Sequence, residues 1–585
     1  MGAQLAARAP TLEFQLRLAL LLLAGVVAAQ PLIAQDTTAV PPGPVSGPRC
    51  NGEIISAVRA APGEPVVVER SAGWARPFLR AALSGKPTRA SAVLPFVLVK
   101  QGQKCTELEL MESERVLRAQ PYLADARAVV VPDTNGTVSV QFTTTDDIRP
   151  IVGLGVKGGE PTRLKVGSGN FAGYGMATAV QWQQGFAFRD GYSLRFTDYH
   201  TFGQPYLLDT QLERAPLGEI TTVSLSKPLY SQLQRIAWSA SAARVDRFQT
   251  LLRGKNVNPL SVDVERRSWG ANALYRIGGR SYGVFAGAGI AGDRVATEER
   301  GVIITDTGFV DDPDTTLGPR YGTENRTFVA AILGARALSF FKAQGFDALE
   351  GAQDVARGMQ IGGLVGHGVG PSDVDWFVGY QMYAGGGTPK SFVGMQVGLE
   401  TGRADGEWSD MVAEGRLAWY SRPSKRRTRI ASFEYSGAWQ TTVPFQLRLG
   451  TDHVGLRGYD DSRTAGGRRA VARLEERLIF PGFKKYAGFG GAAFIDAGKM
   501  WAGDVPFGQT VNPRVGAGVG LIVAVPRSSR QNLRVDVAAP LVGDDGSSWG
   551  VTFTITSGRP RFYRPASDLA RARSAAQTPV VFGWP

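Results

Sequence analysis

From residue 149 onward the sequence repeats one texture, and that texture limits the fold more than any other feature. Segments of about 10 residues alternate apolar and polar side chains, with turn residues between them. Runs at 174–184, 234–245, 327–336, 376–384, 411–420, 429–439, 470–480 and 486–501 are examples. After residue 35 no stretch of about 18 uncharged apolar residues occurs, so no helix crosses a membrane. A sheet is not excluded by that. Lipid offers no partners to backbone N–H and C=O groups, so a spanning sheet must close on itself. The texture therefore predicts a mainly-β chain built around a transmembrane antiparallel β-barrel over 148–557. The competing architecture is a soluble propeller or sandwich.

Three features favour the membrane barrel. The chain opens as an exported protein does: Arg8 and Arg17, an apolar run at 18–27, then small residues up to Gln35. Residues 1–35 read as a signal peptide, the alternative being a short membrane anchor. Aromatic residues fall near strand ends (Trp182, Tyr192, Tyr230, Trp376, Trp419, Tyr420, Trp501 and Trp549), as interface girdles do. Turns also alternate in length, short at 278–279 and 385–390 and long at 292–325. The acids of that long loop, Asp311, Asp312 and Asp314, read as solvated surface, with metal binding as the minor alternative.

Residues 36–49 are a Pro- and Gly-rich linker, and 50–147 have a different character. The only two cysteines, Cys50 and Cys105, fall in this region. In an oxidising compartment they are expected to pair, the alternative being two separate thiols. Residues 107–120 carry an apolar stripe (Leu108, Leu110, Met111, Val116, Leu117) with Glu112, Glu114, Arg115 and Arg118 on much of the other face. This predicts a helix that Pro121 stops. Strands are expected at 126–131 and 137–144, joined through Asn135-Gly136. The net charge is +13, from 65 Lys and Arg against 52 Asp and Glu. Its scatter along an exported chain argues for barrel interior, turns and an anionic lipid surface rather than nucleic acid.

One polar, Gly-rich stretch carries chemistry. Leu456-Arg457-Gly458-Tyr459 lies between two alternating runs; alone it reads as a surface turn. The strand after it places Arg473, Glu475 and Arg477 on one face and Leu474, Leu478 and Phe480 on the other, with Glu476 breaking the pattern. The next strand places Phe494, Asp496 and Gly498 together. Inward charges need partners. The Arg457 fork suits a carboxylate, Asp496 and Glu475 are candidate acceptors, and Gly458 permits a tight tip. Nothing enzymatic competes: the three histidines lack metal-ligand spacing, and no phosphate loop, dinucleotide fingerprint or nucleophile elbow occurs. No cofactor and no metal is expected.

These motifs carry two resemblances. Glu112-Ser113-Glu114-Arg115 and Gln120-Pro121-Tyr122-Leu123, in their strand-and-helix order, resemble a POTRA domain, whose sheet edge accepts a client strand; a passive spacer is the alternative. The order Arg457-Gly458-Tyr459, Glu475 and Phe494-x-Asp496-x-Gly498 is similar to the BamA/TamA superfamily of outer-membrane insertases and two-partner secretion transporters. That resemblance implies about 16 strands, where the runs alone number between about 16 and 19. It implies an in-turned lumen loop at 456–459 docked on a wall bearing Glu475, Phe494, Asp496 and Gly498. Localisation in a bacterial outer membrane, with the N-terminal domain in the periplasm, also follows. So do partners: client outer-membrane or secreted polypeptides, outer-membrane lipids and periplasmic accessory proteins, without nucleic acid. Three departures stand out. Leu456 replaces a β-branched residue, one POTRA-like domain stands where BamA has several, and the tail 558–585 follows the last strand. The function expected is insertion or translocation of polypeptides; the alternatives are a passive porin-like channel and a dedicated two-partner secretion pore.

Overall fold

The computed structural model describes residues 49–63, 86–147, 149–157, 160–254, 257–279, 282–314, 317, 320–449, 455–459, 464–481, 487–542, 552–558, 568–569 and 573. The signal assignment, nearly all of the linker, Trp549 and most of the tail lie outside these residues. Helices among them are short, and none is long and apolar enough to cross a membrane.

The first unit is a three-stranded sheet with a helix on it. Strand β1 (Ile55–Gly63) pairs parallel with β3 (Val138–Asp146), and β3 pairs antiparallel with β2 (Leu123–Pro132). Helix α1 (Glu107–Ala119) precedes β2. The Thr106 hydroxyl caps its first turn by accepting from the Glu109 N–H at 3.4 Å. Gln120 is already extended, at φ −65° and ψ 134°, because a residue before proline is pushed out of the helical region. Gly136, at φ +72°, makes the turn between β2 and β3. Leu110, Val116 and Leu117 pack with Val140 and Phe142 in one core, together with the Cys50–Cys105 disulfide, whose Cα atoms are 5.6 Å apart. Residues 89–99 form two 3-10 turns, Ala90–Ala92 and Leu94–Phe96. Pro95 is compatible with such a turn and not with a continuous helix.

Beyond residue 149 the chain is a closed antiparallel barrel. It starts with six short strands, from Pro150–Lys157 to Gly218–Lys227. Longer ones follow, such as Thr323–Gln344 with 22 residues. The last, Thr552–Gly558, lies beside the first and closes the wall. A hairpin, Val302–Thr305 with Gly308–Asp311, grows from one rim inside the long loop. Apart from that hairpin the described wall holds twenty strands. This corrects the expected sixteen. The excess comes from 150–227, where six strands of 8–11 residues follow one another.

The wall alternates as a membrane barrel must. Leu474, Leu478 and Phe480 face outward, while Glu475 and Asp496 are buried inside. Glu476, the apparent break, faces outward near a barrel end and pairs with Arg427 at 2.6 Å and Arg429 at 3.1 Å. Two members of the expected girdle depart from it. Tyr420 is buried and donates to Asp347 at 2.6 Å, and Tyr230 packs edge-on against Phe96 of the small unit. In the long loop Asp312 binds Arg253 at 2.6 Å and is not free surface.

The two units are joined by buried polar contacts. Arg118 of α1 forms two 2.8 Å bonds to Asp354 on the wall strand Ala352–Gly368. Glu112 accepts from the Gln232 N–H at 2.6 Å, and Arg530 donates to the Leu123 carbonyl at 2.9 Å. The small unit thus sits at the barrel end that carries the turns near 230, 350 and 530.

Candidate functional site

The strand Arg427–Trp439 ends at the opposite rim, and the chain re-enters the wall only at Arg468. Between them Leu447–Arg448 pairs with Ala465–Gly466, forming a two-stranded stem inside the barrel. The tip, residues 455–459, reaches the inner wall. Leu456 is fully buried among Leu449, Tyr459, Val471 and Met500.

Register decides what the tip meets. Asp496 lies opposite Arg473 on one side and Gly516 on the other, and Phe494 lies opposite Glu475 and Gly518. With period-2 alternation this gives an inward row of charges beside an inward row of glycines. Arg457 lies across both. Its Nε and Nη2 each donate to Asp496 at 2.7 Å, a bidentate pair with a carboxylate that has no exposed surface. Nη1 reaches Glu475 at 3.2 Å and Asp536 at 3.4 Å. The guanidinium carbon stands 3.4 Å from the centre of the Phe494 ring, a cation–π contact.

The carboxylates are shared with two wall arginines. Arg534 donates to Glu475 at 2.8 and 2.9 Å and to Asp536 at 2.8 Å. Arg477 binds Glu475 at 2.5 Å. Arg457, Arg477 and Arg534 thus balance Glu475, Asp496 and Asp536, so the buried network carries no excess charge. Arg473 fixes the approach by donating to the Gly455 carbonyl at 2.9 Å. The Tyr459 hydroxyl lies 2.6 Å from the Val542 carbonyl and accepts from the Val515 N–H at 3.2 Å.

Glycines make the fit. Gly458 has φ +92°, and a Cβ there would lie 2.8 Å from the Ala539 backbone. Gly498 leaves room for Leu456, whose methyl would be 3.0 Å from an added Cβ. A Cβ at Gly516 would run into the Arg457 carbonyl, and one at Gly518 would be 2.6 Å from the Phe494 ring. The structure thus brings together all eight residues singled out at 456–459, 475, 494, 496 and 498. Sequence reasoning missed Arg534, Asp536, Gly516 and Gly518. The signal was present: in Arg514–Gly520 every second residue from Gly516 is glycine.

Residues 429–558, which hold the tip and every docking strand, match the Omp85 superfamily domain. The match is to this C-terminal part of the barrel. No curated protein matches the chain. Among solved structures the chain is similar to CdiB from Acinetobacter baumannii, at 10% identity over 93% of this chain and 97% of that one, with a TM-score of 0.39. CdiB from Escherichia coli gives 10% identity over 94% and 98%, with a TM-score of 0.38. BamA from Haemophilus ducreyi lacking POTRA domains 1-3 gives 12% identity over 86% and 84%, with a TM-score of 0.36. Among the described residues no group of three or more His, Cys, Asp or Glu side chains is placed to hold a metal ion.

Proposed function

We propose that this Omp85 barrel inserts or translocates polypeptides at the outer membrane, with the docked loop 456–459 as a lumen element and Arg457 as its structural latch. One observation carries the reading. Within the Omp85 segment, Arg457 is held by a charge-balanced set of inner-wall carboxylates, so a loop from one rim is fixed deep in the lumen. A plain solute channel keeps its lumen open, and the network argues against that use. We read Glu475, Phe494, Asp496 and Gly498 as the docking wall, and no residue as catalytic.

The small unit at 50–147 is read as a POTRA-type module on the periplasmic side. Its sheet has two edge strands, β1 and β2; Arg118, Glu114 and Arg49 already bond the β2 backbone at Ala126 and Ala128, so β1 beyond Ile55 is the edge for an extended client, which pairs by main-chain hydrogen bonds. Clients would be other outer-membrane proteins or one secreted polypeptide; lipids and periplasmic accessory proteins would be further partners. Depletion of the protein tests this. The level of several outer-membrane proteins falls for an insertase, and export of one partner falls for a secretion pore. A change in solute uptake alone returns the porin reading.

A further inference from the structure

Three residues beyond the last wall strand are described, Asp568, Leu569 and Arg573. All three engage inward-facing groups of the barrel. Asp568 is 1% exposed and accepts from Arg469 at 2.8 and 3.2 Å and from the Arg448 N–H at 3.2 Å. Arg469 also donates to the Arg448 carbonyl, so Asp568 and Arg469 together clamp the stem of the in-turned loop. Leu569 is fully buried against Val412, Ala438, Phe445, Leu447 and Val505. Arg573 pairs with Glu414, and with Glu400 at 3.3 Å, and its carbonyl accepts from Arg266.

The match is reciprocal in charge. Glu400 and Glu414 stand on neighbouring strands, each two positions from the residue opposite the other, and both are buried. Two buried carboxylates at that spacing require a cation, and Arg573 supplies one. Arg469 is a wall arginine 2% exposed, and Asp568 supplies its carboxylate. A segment lying in the lumen by chance would not satisfy an acidic pair, a cation and an apolar recess in one register.

We propose that the inner wall at Glu400, Glu414 and Arg469, with the loop stem, is a peptide-binding cradle. It takes a segment presenting a carboxylate, an adjacent leucine and, four residues after the leucine, an arginine. Asp568, Leu569 and Arg573 of the chain's own tail are its resident ligand. Seated there, these residues occupy part of the lumen and hold Leu447 and Arg448, and so tie the tail to the loop that carries Arg457. This holds whatever cargo the barrel moves.

Two measurements on the full chain in lipid test it. The native cysteines are bonded to each other, so a new thiol can be labelled selectively. In a Leu569→Cys chain the thiol should resist a water-soluble maleimide. Adding Asp568→Asn and Arg573→Gln should raise the labelling rate about a hundredfold, the factor carried by loss of buried charge partners. In planar bilayers the Asp568→Asn/Arg573→Gln chain should conduct more than the parent, and a synthetic peptide of residues 559–585 should lower that conductance again. Labelling of the parent Leu569→Cys chain at the rate of an exposed thiol overturns the proposal, as does unchanged conductance in the double variant. A double variant that conducts more and ignores the peptide overturns the cradle as well.

Discussion

Arg457 is the residue on which the loop tip turns. It makes two short bonds to a fully buried Asp496, and replacing it by alanine strips a carboxylate of its main partner. A buried pair broken from one side costs on the order of 3–5 kcal/mol. Arg457→Ala should undock the loop and abolish transport while the barrel still folds; full activity in that variant sinks the latch. Lysine cannot reproduce the bidentate fork, so Arg457→Lys should fall between the two in the same transport assay. The glycine row makes an independent test. Gly518→Leu pushes a side chain against the Val537 carbonyl and the Phe494 ring and should cost at least about 1–3 kcal/mol, with Arg457 displaced. A crystal structure of that variant with Arg457 unmoved would contradict the account. Much of this site was legible at the residue scale because a strand has period 2. Alternation alone put Glu475 with Arg473, and Asp496 with Phe494, on common faces. Arg534 and Asp536 were hidden because their strand pairs with the site only through the register of Val511–Ala524, and register is a property of neighbouring strands.

At the scale of elements, helix α1 was readable from its apolar stripe and its proline stop, and the β2–β3 hairpin from Asn135-Gly136. Strand number was not. Residues 150–227 carry more strand-like runs than could be placed one by one, and the sixteen strands that the resemblance implies left no room for all six found there. Two element-scale links invite measurement. The Cys50–Cys105 bridge spans 55 residues, and in the chain-entropy model such a loop contributes about 4 kcal/mol. Double substitution to serine should make residues 50–147 protease-sensitive and leave the barrel intact; equal resistance with and without the bridge would count against it. Arg118, 3% exposed, joins α1 to the wall through Asp354. Arg118→Ala should loosen the small unit from the barrel by about 3 kcal/mol. Hydrogen exchange at 228–235 and 345–354 would then rise, and unchanged protection there would show that the joint rests on other contacts.

For the whole molecule the question is what keeps a sheet of twenty strands in one piece. Every wall strand is hydrogen-bonded on both sides, including Thr552–Gly558 against Pro150–Lys157, so the sheet has no free edge. In lipid, opening it would expose a full row of backbone donors and acceptors at several kcal/mol for each unsatisfied group. The interior adds cross-links that connect strands distant in sequence: Arg457 with Asp496 and Asp536, Arg469 with Asp568, Arg326 with Asp410. Closure and cross-links together should keep the barrel folded in dodecyl sulfate at room temperature. An unboiled sample should then migrate differently from a boiled one on a denaturing gel. The seam joins strands of seven and eight residues. Substituting Arg457 and Asp568 together removes two of the interior ties without touching the ladder. The folded band should therefore persist in that variant and convert to the unfolded band at a lower temperature than the parent. Identical mobility before and after boiling in the parent chain would refute the closed barrel itself. An unchanged conversion temperature in the variant would place its stability in the ladder alone.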